Sequence, residues 1–145
     1  MDVRVHADPR PVPAPDDVSR FYWEAAADHR LILQRCRACH LMQYPPEICC
    51  LHCQGEEFEA AETTGRGVIY SYSVVDRSLH AGFVDALPYV VALVELDDQP
   101  GLRILTNLVG VPVGTPLSCG LPVEVVFEKR GSVTLPQFRL LGTAS

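Results

Sequence analysis

Four cysteines are spaced so that they could bind a metal ion. Cys36 and Cys39 form one C-x-x-C pair, Cys50 and Cys53 form a second, and ten residues separate the pairs. The two-residue spacing lets one tight turn direct two thiolates at a common point, so two such turns supply the four ligands of a tetrahedral Zn²⁺ site. Because four protein ligands leave no position for water or substrate, the predicted zinc is structural.

The other thiols do not suggest a catalytic centre. Cys49 could replace Cys50 as a ligand, but the C-x-x-C geometry favours Cys50 with Cys53. Cys119 lies in an apolar, glycine-flanked stretch, and we expect it to be a small buried side chain. As a nucleophile Cys119 would need a base, and His80 is the only histidine beyond residue 52. We therefore predict no catalytic residue, and an isolated thiol enzyme that uses Cys119 stays as an alternative.

Length and charge limit the class of protein. The 145 residues carry 12 basic and 18 acidic side chains, which gives a formal charge of -6. This length suits one ordinary domain or two small ones, and a bound zinc explains how a segment too small for its own core could fold. The N-terminus has no basic leader or apolar h-region, and no apolar run could span a membrane. We expect a soluble, cytoplasmic protein with reduced cysteines.

The N-terminal pattern predicts an arm followed by a helix. Residues 1–16 carry prolines at alternate positions, which favours an extended arm that is either a disordered tail or a segment that orders on a partner. Within residues 17–28 the apolar side chains follow helical spacing and lie on one face: Val18, Phe21, Tyr22 and Ala25. Trp23 lies off that face, so it either packs under the ribbon or is an exposed interface anchor.

Short strands are predicted on either side of the cysteine pairs. Residues 30–36 form an apolar run that leads into the first pair, with Leu31 and Leu33 on one side of the strand. Residues 58–62 form a return strand after the second pair. These strands and the preceding helix define a predicted zinc-ribbon domain over residues 17–64.

Beyond residue 64 the sequence changes to β-branched and aromatic runs separated by turn residues. Five strands are predicted, over residues 67–76, 88–97, 102–109, 122–129 and 133–141. Tight turns join the second strand to the third and the fourth to the fifth, and a longer segment separates the third from the fourth. This pattern favours a small, partly open barrel of OB type over residues 65–145, so the predicted fold class is mainly β. Pro136 predicts an edge or a bulge in the fifth strand.

A single-stranded nucleic-acid binder is the alternative from another class, because OB barrels bind single strands through stacked aromatic rings in a basic groove. The candidate side chains are Tyr70, Tyr72, Tyr89 and Phe138 for stacking and Arg66, Arg77, Arg103 and Arg139 for phosphate contacts. The acidic net charge would largely cancel the field of such a groove. We therefore expect no nucleic-acid partner.

The succession of motifs resembles one known family. The chain reads F-Y-W-E in the predicted helix, R-C-x-x-C, Y-P-P and C-x-x-C in the ribbon, and G-R-G-V-I-Y-S-Y-S-V-V, P-Y-V-V-A-L-V-E-L-D, N-L-V-G, G-x-P-V-E-V-V-F-E and L-P-Q-F-R in the barrel. In this order and at these spacings, over about residues 18–140, the motifs resemble the rubredoxin-like zinc-ribbon plus OB-fold proteins that accompany thiolases.

The resemblance implies a function exerted through partners. Members of this family are accessory subunits or domains bound to thiolase-like acyltransferases, hydroxymethylglutaryl-CoA synthases or aldolases, and the catalytic residues belong to the partner. It implies a non-catalytic zinc-binding subunit of a hetero-oligomeric thiolase-like or ketosynthase-like complex. The small subunit of a bacterial acetyltransferase acting on acylphloroglucinols is one such protein. The alternative partner is an acyl-CoA aldolase or thiolase of lipid or steroid degradation. The implied ligand at the interface is acyl-CoA or an acylated small molecule.

Two positions depart from the family pattern. The second cysteine pair commonly reads C-P-x-C-G, and here Gln54 follows Cys53. Glu47 stands where an arginine is frequent after the two prolines. The four predicted metal ligands are kept, whereas any role of that arginine in meeting an anionic ligand is lost.

Overall fold

The described residues form one short α-helix, a three-stranded ribbon and a five-stranded barrel, which confirms the predicted mainly β fold class. The computed structural model describes residues 8–142. The elements are α1 (Arg20–Ala27), β1 (Ile32–Cys36), β2 (Met42–Gln43), β3 (Phe58–Glu62), β4 (Arg66–Val75), a 3-10 helix (Ala81–Ala86), β5 (Tyr89–Leu96), β6 (Arg103–Leu108), β7 (Pro122–Arg130) and β8 (Val133–Leu140). No helix within these residues is long and apolar enough to cross a membrane.

The ribbon is an antiparallel sheet in the order β2-β1-β3. Strand β1 pairs with β3 from Ile32 opposite Glu62 to Cys36 opposite Phe58. Leu31 and Leu33 are buried and Ile32 between them is only half-buried, as the alternation predicted. The first cysteine pair therefore starts at the end of a strand that the buried leucines fix in register.

The barrel strands follow the order β4-β5-β6-β8-β7, and β7 returns to β4. This is the strand order of an OB fold, and all five predicted strands are present within one or two residues of their predicted ends. The barrel is closed, whereas the sequence predicted a partly open one. The inward face of β5 is buried along its whole length, as its alternating pattern predicted.

The barrel closes at its weakest pairing, between β6 and β8. These two strands run parallel and share only the pair Leu108 and Phe138. Next to this pair the Gln137 side chain accepts hydrogen bonds from the backbone N–H of Asn107 at 3.1 Å and from the Thr106 hydroxyl at 3.2 Å. Pro136 pairs with Phe127 of β7 without a register shift. Pro136 has no N–H to donate, and it lies next to the contact of β6 with β8, where side-chain hydrogen bonds join the two strands. The bulge predicted at this proline is absent from the pairing of β8 with β7.

Helix α1 begins later than predicted. The Asp16 carboxylate accepts a hydrogen bond from the Ser19 N–H at 2.8 Å, which holds a turn before the helix. Tyr22 and Ala25 of the predicted face are buried, and so is Ala26. Trp23 is half-buried and its ring meets the edge of Tyr22 at a centroid distance of 4.9 Å. The tryptophan is thus neither fully packed under the ribbon nor fully exposed.

The described part of the N-terminal arm lies on the barrel of its own chain. Arg10 Nη2 pairs with Glu128 of β7 at 3.0 Å. The backbone carbonyl of Pro9 passes so close to Gly82 that a Cβ at that glycine would collide with it. Within the described part of the arm, Pro9 and Arg10 therefore contact the barrel of this chain. Residues 1–7 of the predicted arm lie outside the described residues.

The Gln99 side chain is one of the contacts that join the ribbon to the barrel. The Gln99 side chain accepts from the Met42 N–H at 2.8 Å and donates to the Met42 carbonyl at 2.9 Å, so it pairs with β2 as a strand would. Beside it, the Asp98 carboxylate accepts from the Thr64 N–H at 3.0 Å. The buried apolar side chains of both parts form one continuous cluster. The ribbon and the barrel are therefore packed as a single unit.

Replacing Gln99 by alanine is expected to lower the free energy of unfolding by about 1–3 kcal/mol, because two hydrogen bonds are lost and the Met42 backbone groups are left without these partners. Asp97→Ala, an exposed position in the same turn, is the matched control and should change stability by less than about 0.5 kcal/mol. Urea denaturation of both variants measures the difference. Equal stability of the two variants would show that this joint contributes little.

Candidate metal centre

The four predicted ligands come together in one cluster. Their Sγ atoms all lie within 4.8 Å of one another. Two of these separations are 3.5 Å between Cys36 and Cys53 and 3.6 Å between Cys39 and Cys50. Each contact joins one cysteine of the first pair to one of the second. A bound ion would therefore tie the turn after β1 to the turn before β3.

The spacing of the thiols fits a zinc ion. Thiolates about 2.3 Å from a tetrahedral Zn²⁺ stand about 3.8 Å from one another, close to the distances found here. A disulfide would need about 2.05 Å, and all four cysteines are free. Gly55 borders the cluster, and a Cβ there would lie 3.2 Å from Cys36 Sγ and 3.4 Å from Cys53 Sγ. Glycine at this position leaves room for the sulfur atoms.

The two cysteine turns have the same backbone shape. In each turn the residue after the second cysteine has a left-handed conformation: φ is 66° at His40 and 66° at Gln54. The backbone also closes each turn, from the His40 N–H to the Cys36 carbonyl at 2.9 Å and from the Gln54 N–H to the Cys50 carbonyl at 2.8 Å. Gln54 therefore adopts a left-handed conformation that a glycine would adopt without steric cost.

Backbone N–H groups lower the pKa of two of the four clustered thiols. At Cys50 desolvation opposes ionisation, but the backbone N–H groups of Cys53 and His52, with the neighbouring thiols, lower its pKa to about 6. The N–H of Cys39 is the largest influence on Cys36, and it lowers the pKa of that thiol. Thiolates are the form that binds zinc, and the turns favour this form at Cys50 and Cys36. At Cys53 the Gly55 N–H favours the thiolate too, but the Cys36 thiol and desolvation outweigh that hydrogen bond and raise the pKa to about 11.

Two buried glutamines hold the second cysteine turn against the strands. Gln43 Nε2 donates to Gln34 Oε1 at 2.7 Å, and Gln43 Oε1 accepts from the Leu51 N–H at 2.8 Å. Gln34 in turn donates to the Glu47 carbonyl at 2.7 Å. The sequence reasoning missed both glutamines, because a polar residue on a short strand gives no sign that it will be buried. They position the turn that carries Cys50.

The remaining thiols lie apart from the cluster. Cys49 is not in the group of four, and its carbonyl accepts from Gln43 at 3.1 Å. Cys119 is exposed, so the expectation of a buried thiol is wrong; it lies in the irregular segment before β7, outside the barrel wall. His80 Nδ1 accepts from the Gly82 N–H at 2.9 Å and thereby begins the 3-10 helix. That bond gives His80 a structural role.

The candidate nucleic-acid residues do not form an open aromatic and basic groove. Phe138 is fully buried in the barrel. The Arg103 guanidinium covers the Tyr70 ring at 3.6 Å and pairs with Glu95 at 3.1 Å. Arg139 pairs with Glu124 at 2.6 Å. The charges of Arg103 and Arg139 are thus paired with neighbouring carboxylates.

This fold and this cysteine cluster define a class of protein, one zinc ribbon joined to one OB barrel. Residues 23–59 match the family model of the ChsH2 rubredoxin-like zinc ribbon domain, and residues 60–128 match that of the ChsH2 C-terminal OB-fold domain. The solved structure of an Ltp2-ChsH2(DUF35) aldolase superposes with a TM-score of 0.76 at 40% identity, over 89% of this chain and 98% of that one. The chain belongs to the DUF35 family of zinc-ribbon and OB-fold proteins.

Curated relatives carry names of several kinds. A DUF35 domain-containing scaffold protein of Methanothermobacter thermautotrophicus is 33% identical over 70% of this chain and 74% of its own length. The benzoylsuccinyl-CoA thiolase subunit BbsA of Thauera aromatica is 37% identical over 61% of this chain and 60% of its own length. A probable enoyl-CoA hydratase alpha subunit of Thermomonospora curvata is 42% identical over 90% of this chain, which spans only 40% of that relative's length.

Proposed function

We propose that this chain is a non-catalytic, zinc-binding accessory subunit of a thiolase-like acyltransferase complex, needed for the assembly or the activity of its partner. The zinc ligands in this proposal are Cys36, Cys39, Cys50 and Cys53. The proposed division is an arm over residues 1–16, a helix and zinc ribbon over 17–64 and an OB domain over 65–145. The proposed location is the cytoplasm, within a hetero-oligomer.

The observation that carries this proposal is the relationship to a thiolase subunit, BbsA, at 37% identity. The cysteine cluster supports it, because four thiolates would fill the coordination of zinc and leave the ion a structural role. A ribbon stiffened in this way offers a rigid surface to a larger protein. The chemistry would then belong to the partner.

The partner's reaction has two candidates. The first is acyl transfer with C–C bond formation, as in acylphloroglucinol or polyketide-type metabolism. The second is cleavage by an acyl-CoA aldolase or thiolase of lipid or steroid degradation, and the 40% identity to the Ltp2-ChsH2(DUF35) aldolase chain favours it. In either case acyl-CoA or an acylated small molecule would lie at the interface.

Co-expression of this chain with a thiolase-like protein of the same organism tests the proposal. We expect the two proteins to co-elute in a fixed ratio and the partner to lose activity when this chain is withheld. Assays of acyl transfer and of retro-aldol cleavage on the same complex distinguish the two reactions. Separate elution, together with full activity of the partner alone, would contradict the proposal.

A further inference from the structure

Two adjoining cavities open between the barrel, α1 and the 3-10 helix. The larger, here called the aromatic cavity, has a volume of about 360 Å³ and is walled by Trp23, Tyr44, Tyr89 and Leu105 among others. The smaller, here called the polar cavity, has about 230 Å³. Both are lined by Asn107, Arg130 and Gln137, so the two share one boundary. Small-molecule sites occupy about 300–1,000 Å³, and the aromatic cavity alone falls in this range.

Arg130 stands at that shared boundary with hydrogen-bonding capacity unused. Its side chain is only 6% exposed, and its Nη2 contacts Glu128 at 3.3 Å. Its Nε is buried and has no hydrogen-bond partner among the described residues. A guanidinium has five N–H donors, and buried donors are normally satisfied. An acceptor at the boundary of the cavities would supply the missing partner.

The charged side chain that lines the aromatic cavity is a cation, although the whole chain carries -6. Within the described residues, the charged side chains lining the polar cavity are Arg10, Glu128 and Arg130, and Arg130 is the single charged side chain lining the aromatic one. The Glu128 carboxylate already accepts from Arg10 at 3.0 Å and from Gln137 at 3.2 Å. Arg10 is paired with the Asp8 carboxylate at 2.6 Å as well as with Glu128, so its charge is balanced, and the donor left open at the boundary is the Arg130 Nε.

The aromatic walls add no opposing charge. Burial raises the pKa of Tyr22, and desolvation likewise raises the pKa of Tyr44. Both phenols are therefore neutral near pH 7 and present aromatic faces and edges. The mouth of this cavity is also apolar, since Leu105 lines it and is 65% exposed.

We propose that the two cavities form a binding site for a small apolar carboxylate, with its apolar body among the aromatic side chains and its carboxylate at Arg130. The site lies on the barrel and uses none of the four clustered cysteines. Binding to it is expected in the isolated, zinc-loaded full chain, so its test does not depend on any thiolase-like partner.

Trp23 provides a specific reporter, because it is the one tryptophan of the chain and lines the aromatic cavity. Its indole N–H gives a single resonance in an ¹⁵N-labelled sample. We expect 2-naphthoate to shift this resonance and to bind about tenfold or more tightly than 2-naphthamide, which has the same shape without the charge. No shift with 2-naphthoate, or equal affinity for the two probes, would overturn the proposal.

Two variants locate the site. Arg130→Gln is expected to reduce the preference for 2-naphthoate over 2-naphthamide to within about twofold, because the charge-assisted hydrogen bond is removed. Leu105→Glu places a carboxylate at the mouth without disturbing the core, and it should weaken 2-naphthoate about tenfold. Its matched control, Val113→Glu, changes an 83% exposed residue that lines neither cavity and should bind as the wild type.

The Leu105 and Val113 pair keeps the test decisive if Arg130→Gln fails to fold. Equal weakening by Leu105→Glu and Val113→Glu would place the bound probe elsewhere and overturn the proposal. An unchanged preference for 2-naphthoate in a folded Arg130→Gln variant would do the same.

Discussion

Replacing Cys36 by alanine is expected to abolish metal binding and to unfold the ribbon. The Cys36 thiol is fully buried, ends β1 and lies 3.5 Å from Cys53 Sγ. Zinc binding contributes about 10–16 kcal/mol in small zinc modules, which is as large as the whole stability of an ordinary domain of about 5–15 kcal/mol. Elemental analysis should fall from about one zinc per chain to almost none. The ribbon amide resonances should collapse to the dispersion of an unfolded segment.

Cys49→Ala is the control for this variant. Cys49 is a free thiol adjacent to Cys50 but outside the cluster, so its loss should leave the zinc content unchanged. The barrel is expected to remain folded in Cys36→Ala but with a lower melting temperature, since the apolar core continues from Leu33 and Met42 into the barrel. A Cys36→Ala protein with full zinc content and an intact ribbon would contradict the assignment of the ligands.

Replacing Phe138 by alanine is expected to cost about 3–5 kcal/mol of unfolding free energy. Phe138 is the largest of the fully buried side chains, and its backbone makes the one pairing between β6 and β8. The change therefore opens a cavity at the barrel's weakest seam. Urea denaturation of the zinc-loaded protein measures the loss directly.

Phe138→Leu is the matched control, because it keeps most of the apolar volume and should cost less than about 1.5 kcal/mol. Zinc content should stay near one per chain in this control. A loss below about 1 kcal/mol in Phe138→Ala would mean that the barrel does not depend on this core position.

The barrel was predictable because its strands alternate between buried and exposed positions, as along Val90, Ala92, Val94 and Leu96. The 3-10 helix could not be predicted, because residues 77–87 have no periodic apolar pattern. That helix is held instead by distant contacts, such as the passage of Pro9 over Gly82. The docking of the arm could not be predicted for the same reason, because the ion pair of Arg10 with Glu128 joins residues 118 positions apart.

The metal site was predictable because two-residue cysteine spacing is a local property of the chain. Its supporting residues were not, because burial of Gln34 and Gln43 follows from the packing of the ribbon. Arg130 was overlooked for a similar reason. It follows Lys129 in a hairpin sequence typical of exposed turn charges, yet the arm and the 3-10 helix enclose it. Local sequence patterns do not contain this information.

The most direct test of the central proposal is the activity of a thiolase-like partner purified alone and then reconstituted with this chain. We expect the zinc-loaded wild-type chain to restore the partner's turnover and the Cys36→Ala chain to restore none, because only the metal-bound ribbon presents a rigid docking surface. Full turnover by the partner alone, or equal restoration by both chains, would contradict the proposal.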